Sequence, residues 1–151
     1  MNRRTPSAYD LTPENERYLL CLTPEKITSL LPNEVFVFGS NLRGVHGAGA
    51  ARDAVNMFGA EWGTGFGITG QCFAIPTKDE KIKTMPLENI RPYVNDFIAY
   101  AVTHEDLTFL VTPIGCGLAG YTPEDIAPLF KNAVDVENIH LPLSFWAVLI
   151  K

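Results

Sequence analysis

The sequence predicts a single three-layer α/β domain with a mixed, mostly parallel sheet between helices. Three short apolar runs, "EVFVFGS", "QCFAIPT" and "LTFLVTPIG", are rich in β-branched and aromatic residues and lack polar alternation, as strands buried on both faces do. Amphipathic helical patterns lie between these runs, so strand and helix alternate along the chain. The 151 residues, 46% hydrophobic and 19% charged, suit one core without a second domain.

Taken in order, "LTPENERYLL" and "LTPEKITSLL" both open with Thr-Pro-Glu: a threonine cap, a proline at the first helical position and an acid near the positive end of the helix dipole. They predict two short helices, so that residues 1–31 form a helical appendage packed on the domain. After the "VFVF" strand, Ala50, Ala51, Ala54, Val55 and Phe58 recur at helical spacing. A strand over "QCFAIPT" follows, then a helix carrying Leu87, Ile90, Val94, Phe97, Ile98 and Ala101, then the "LTFLV" strand. "YTPEDIAPLFKNAV" begins another helix, with Thr122 as cap, Asp125 at the capping-box position and Pro128 shortening or kinking it. "NIHLPLSFWAVLI" is expected to end the chain as one or two strands broken at Pro142.

Composition narrows the function classes. The N-terminal "MNRRTPSAYD" has no apolar run behind its arginines, and no stretch approaches the ~18 apolar residues of a membrane span. Neither a signal peptide nor a membrane anchor is expected, and the sequence predicts a cytoplasmic protein. Cys21, Cys72 and Cys116 are odd in number and far apart, matching neither a disulfide framework nor a C-x-x-C metal spacing. His46, His104 and His140 also lack metal-ligand spacing, and loop or surface roles are expected for at least two of them. No metal and no cofactor are expected. A net charge of −5 argues against nucleic acid as a polyanion partner but not against a small phosphate held by backbone groups.

Two loops carry the candidate chemistry. Gly39, Gly44, Gly47 and Gly49 lie between a strand end and a helix start, where open α/β sheets gather ligands. Glycine there admits a close backbone approach, and the free amides of a helix's first turn face an anion. "PIGCGLAGYTPED" repeats the arrangement after another strand, with Gly115, Gly117 and Gly120 ahead of the cap at Thr122. The pair could clamp a diphosphate, or be no more than tight strand-to-helix turns. Other motifs fail. "GVHGAGAAR" lacks the Gly-Lys-Ser/Thr of a Walker A loop, and "GFGITG" precedes a strand instead of opening a helix. Cys116 is followed six positions on by Thr122, where a cysteine phosphatase needs arginine, so a small buried cysteine is the better expectation. No serine stands in a G-x-S-x-G elbow.

At these loops the sequence resembles the macrodomains, which bind ADP-ribose and its derivatives. "SNLRGVHGAGAARDAV" is similar to their first loop, an asparagine, a leucine and a glycine run leading into a helix; "CGLAGYTPE" is similar to their second, with Gly117, Leu118, Gly120 and Tyr121 in step. The terminal ADP-ribose protein glycohydrolase branch is closest, through "GAG" at residues 47–49, Phe58-Gly59, and "IGCGL" at residues 114–118. The resemblance covers residues 34–133. It implies an ADP-ribose-type nucleotide as partner, free or carried on an ADP-ribosylated macromolecule. Gly39, Ser40, Asn41, Gly47, Ala48 and Gly49 would form one wall of its site, and Ile114, Gly115, Cys116, Gly117, Leu118, Ala119, Gly120 and Tyr121 the other. Asn41 would lie by the distal ribose and Tyr121 would close over the diphosphate. The family's adenine-reading aspartate has no counterpart but Glu34, at an uncertain offset. The glycohydrolase lysine is matched by Lys78, whereas its aspartate, just after "GCGL", is replaced by Ala119.

Lys78 is either a solvated surface charge or a nucleophilic amine that forms a Schiff base with the sugar aldehyde, which needs a depressed pKa. Asp79 beside it would act as general acid or base in place of the missing aspartate, yet would equally favour the charged ammonium. Three classes remain open: a nucleotide binder that needs only the loops and Tyr121, a hydrolase removing ADP-ribosyl groups or a terminal phosphate through Lys78 and Asp79 or a positioned water, and an interaction module without a ligand.

Overall fold

The computed structural model describes residues 20–150. The elements are β1 (Glu34–Asn41), α1 (Gly49–Phe58), β2 (Gly67–Thr69), β3 (Cys72–Lys78), α2 (Leu87–Val102), β4 (Thr108–Val111), α3 (Pro123–Ile126), which runs on as a 3-10 helix (Ala127–Ala133), β5 (Ile139–His140) and α4 (Leu143–Leu149). They form a single α/β domain around a five-stranded sheet in the order β2-β3-β1-β4-β5. β3, β1, β4 and β5 run parallel, and the short edge strand β2 is antiparallel to β3.

The missing polar alternation has its cause in the layers. Along β1, Val35 and Val37 enter a large core with Phe73 and Ile75 of β3, Phe97 of α2, Phe130 and Trp146; Phe36 and Phe38 enter a smaller one on the opposite face. That second core is made with Ala51, Ala54 and Phe58 of α1 and with Cys72 and Ala74 of β3. Small residues on both the helix and β3 let α1 lie close to the sheet. In the large core the rings of Phe73, Phe97 and Phe109 meet edge to face at centroid distances of 5.1 to 6.5 Å.

Several local signals hold. Thr122 and Asp125 form the reciprocal capping box, and the α-helical turn gives way to 3-10 geometry at Ala127, next to Pro128, which has no amide to donate. Two expectations are corrected. Residues 22–31 form no helix. The start of the segment is drawn instead into a bridge between Leu22 and Leu141, just after β5: Thr23 N donates to Leu141 O (2.9 Å), Leu141 N donates to Cys21 O (3.0 Å), and Ile27 and Leu30 pack on the smaller core. Tertiary pairing overrides the local Thr-Pro-Glu signal. The first expected helix and the rest of the appendage lie almost wholly outside the described residues. The chain's last apolar run is the second correction, because only Ile139–His140 is a strand and Leu143–Leu149 is a helix begun by Pro142. Phe145 and Trp146 of this helix are buried, and the indole of Trp146 donates to Cys21 O at 3.0 Å. "GFGITG" does precede a strand, and also supplies β2, which went unpredicted.

Among the described residues no helix is long and apolar enough to cross a membrane. Phe97 is fully buried where α2 meets β3, β4 and the 3-10 helix, so Phe97→Ala should cost about 3–5 kcal/mol. Thermal melting should show a loss of about 10 °C.

Candidate functional site

β1 hands the chain to β3 on one side, and the helix after β3 carries it past β1 to β4 on the other. Connections therefore diverge around the carboxyl end of β1, the position where open α/β sheets leave a crevice. The crevice is a cleft of about 500 Å³. Its walls are residues 39–41 at the end of β1, residues 47–51 at the start of α1, Thr77 and Lys78 at the end of β3, residues 112–115 after β4, and residues 117–119.

Of the expected site residues, the structure gathers Gly39, Ser40, Asn41, Gly47, Ala48, Gly49, Lys78, Ile114, Gly115, Gly117, Leu118 and Ala119 on this one cleft. Cys116, Gly120, Tyr121 and Asp79 are not on its wall. Tyr121 is turned away, its hydroxyl donating to Met85 O at 2.6 Å, which contrasts with the expected lid. Asn41 is committed within its own loop: Nδ2 donates to Val45 O (2.9 Å) and Oδ1 accepts from Val45 N (3.0 Å). It shapes the loop instead of offering a free amide. Glu34 sits at the opposite end of β1 and accepts from Leu31 N at 2.9 Å, so it does not reach the cleft.

The glycines divide by what a side chain would meet. A Cβ at Gly44 would collide with the backbone of Gly63, and one at Gly65 with the carbonyl of Asn41. These two are needed where the first loop lies against residues 61–65, a contact also held by the Ser40 hydroxyl on Gly65 O and by Gly63 N on Gly44 O. His46 joins this support; it is buried, edge-on to Phe38, with Nε2 3.0 Å from Glu61 O. Gly115 has φ 77°, and a Cβ there would come within 2.8 Å of Ile126 Cδ1. Cβ atoms at Gly47 and Gly117 would meet nothing within 4 Å.

Two groups of backbone amides are left for a ligand. α1 starts behind Ala48, which has no side-chain cap, so the first-turn amides of Gly49, Ala50 and Ala51 have no intrahelical partner. In the second loop the amides of Gly117, Leu118 and Ala119 donate to no carbonyl among the described residues. Both groups favour an anion. Among the described residues Lys78 is the one charged side chain on the wall, and no carboxylate shares it. Burial, with Asp125 and Glu124 adding to it, pushes the Cys116 thiol up to about 11, so it is not a thiolate nucleophile. Among the described residues no group of His, Cys, Asp or Glu is placed to hold a metal ion.

Sequence inspection missed Val45, Ala50, Ala51, Thr77, Ile82, Thr112 and Pro113 on the wall. Thr77 sits where the β1–β3 register slips, with Ser40 opposite Pro76 but Asn41 opposite Lys78. This bulge, of the kind that re-aims strand ends beside sites, leaves no trace in residue type. Compared with family models, with curated proteins and with solved structures, the chain finds no match.

Asp79 organises the turn after β3: its Oδ1 accepts from Lys81 N (2.8 Å) and Lys83 N (3.0 Å). Those amides, above all that of Lys83, hold its carboxyl below the ordinary aspartate range. A depressed folded value stabilises above the unfolded aspartate pKa, and the benefit disappears as pH falls through the folded one. Asp79→Asn should therefore melt below wild type at pH 7, and the difference should shrink as the pH is lowered below the ordinary aspartate range.

Proposed function

We propose that this chain is a macrodomain-like protein that binds ADP-ribose, or a closely related nucleotide, with the diphosphate between its two glycine loops. One observation carries the proposal: a cleft walled by both loops, each offering to an anion backbone amides that have no partner among the described residues. Such a cleft favours a ligand over a ligand-free interaction module, and the open faces of Gly47 and Gly117 leave room for phosphate oxygens. The ammonium of Lys78 adds the only charge on the wall among the described residues, of the sign a diphosphate requires. An ADP-ribosyl group carried on a macromolecule would present the same chemistry. A reducing compartment such as the cytoplasm suits the free thiols of Cys72 and Cys116.

Hydrolysis is the second reading, favoured by the presence of Lys78 on the cleft wall. Among the described residues it lacks a partner for the lysine: Asp79 is turned to the amides of Lys81 and Lys83, no described carboxylate lines the cleft, and Ala119 stands where the glycohydrolase branch has aspartate. A missing general acid or base removes about 10²–10⁴ in rate, so binding is the preferred function.

ADP-ribose should raise the melting temperature and give a calorimetric binding curve, the stabilisation being about 2.7 kcal/mol at one hundred times Kd. Gly47→Val and Gly117→Val should abolish binding yet keep wild-type circular dichroism, because each adds a branched side chain to open space beside the amides. Silence of the wild type toward millimolar ADP-ribose refutes the proposal.

Lys78→Ala should keep most of the affinity, since the backbone amides hold the diphosphate, and neither it nor wild type should release ADP-ribose from a modified protein or nucleic acid. Wild-type turnover that Lys78→Ala eliminates, with a borohydride-trapped sugar adduct on Lys78, would make the protein a hydrolase instead.

A further inference from the structure

Ile82 is the one non-glycine residue with positive φ among the described residues, at 62°. The left-handed region is unfavourable for any side chain and most of all for a β-branched one. The turn around it explains how the conformation is enforced. Lys78 and Thr84 bridge as antiparallel neighbours, Asp79 N donates to Lys83 O (2.8 Å), and Ile82 N donates to Asp79 O (3.1 Å). This is a three-residue hairpin whose last position takes a left-handed residue, ordinarily glycine. The Asp79 carboxylate secures the turn from within, and from outside Thr84 Oγ1 donates to Ala119 O at 2.9 Å, tying it to the second glycine loop.

The isoleucine repays this strain only in part by burial. The residue is 38% exposed, belongs to neither hydrophobic core, and lines the cleft. Val45 of the first loop and Leu118 of the second are also exposed and on the wall, so three separate segments each bring a large, exposed apolar side chain to the cleft, beside its small residues, its amides and the Lys78 ammonium. Local strain kept at a half-exposed position outside the core, on a cleft wall, points to a position held for a ligand.

We propose that Ile82 is a specificity-determining residue, held in a strained conformation so that its side chain packs against the nucleoside or sugar part of the ligand whose diphosphate the loops hold. The inference rests on the proposed nucleotide site and adds how its organic part is recognised. The amides select for phosphate, and Ile82, with Val45 and Leu118, selects for a ligand that also has an apolar face. With Asn41 and Tyr121 committed to internal hydrogen bonds, this apolar contact takes up recognition that those side chains do not provide.

The test compares wild type, Ile82→Gly and Ile82→Asn, both replacements tolerating positive φ, by melting and by titration with ADP-ribose and with inorganic pyrophosphate. Both variants should melt no lower than wild type. Each should bind ADP-ribose at least about tenfold more weakly, the loss expected for an apolar side chain taken from a contact, while pyrophosphate affinity changes less than about twofold. Unchanged ADP-ribose affinity in both variants overturns the role of Ile82 and leaves the site standing. A fall in melting temperature, or an equal loss of both ligands, shows that Ile82 supports the loops and also overturns it. No binding of ADP-ribose by wild type refutes the nucleotide site, and the inference with it.

Discussion

Burial of β1 on both faces is the constraint on which the rest of the structure depends. Val35 and Val37 on one side and Phe36 and Phe38 on the other need a covering layer each, and the chain supplies them by passing first to one side of the sheet and then to the other. Those opposed connections leave the carboxyl end of β1 between diverging loops, so the cleft is a consequence of covering the strand. The polar end of the strand follows suit: Ser40 and Asn41 are buried, but their side chains bond loop carbonyls and amides and so build the cleft wall.

The loops are held by contacts of backbone with backbone. Gly44 against Gly63 and Gly65 against Asn41 bring the first loop onto residues 61–65 at distances no side chain would allow. The second loop is anchored through Gly115 over Ile126, through Tyr121 on Met85 O and through Thr84 on Ala119 O. A loop fastened in this way keeps its amides in place before a ligand arrives, which reduces the ordering cost of binding. Glycine thus serves two purposes here, close packing at positions 44, 65 and 115 and open access at positions 47 and 117.

Electrostatically the cleft departs from the rest of the chain. The protein has a net charge of −5, whereas among the described residues the cleft wall carries one ammonium and no carboxylate. Selection for an anion is therefore local, set by amide dipoles and Lys78 over a few ångströms, and needs no basic surface.

Hydrophobic patterning by itself determined the α/β class, the three main strands, α1, α2 and the capped start of α3, because each depends on nearest-neighbour burial and on cap chemistry within a few residues. The two glycine loops were also legible, since their spacing after strands is local. Only the tertiary structure decided that Leu22 pairs with Leu141 and residues 22–31 form no helix, and that Leu143–Leu149 coils to bury Phe145 and Trp146; a short apolar run reads equally as strand or helix until its neighbours are known. It also decided which glycines pack and which stay open, turned Tyr121 and Asp79 away from the cleft, and brought Thr77 and Ile82 to it. Such placements are set by a register slip, a strained turn and contacts between segments distant in the chain, none of which leaves a pattern in the order of residue types.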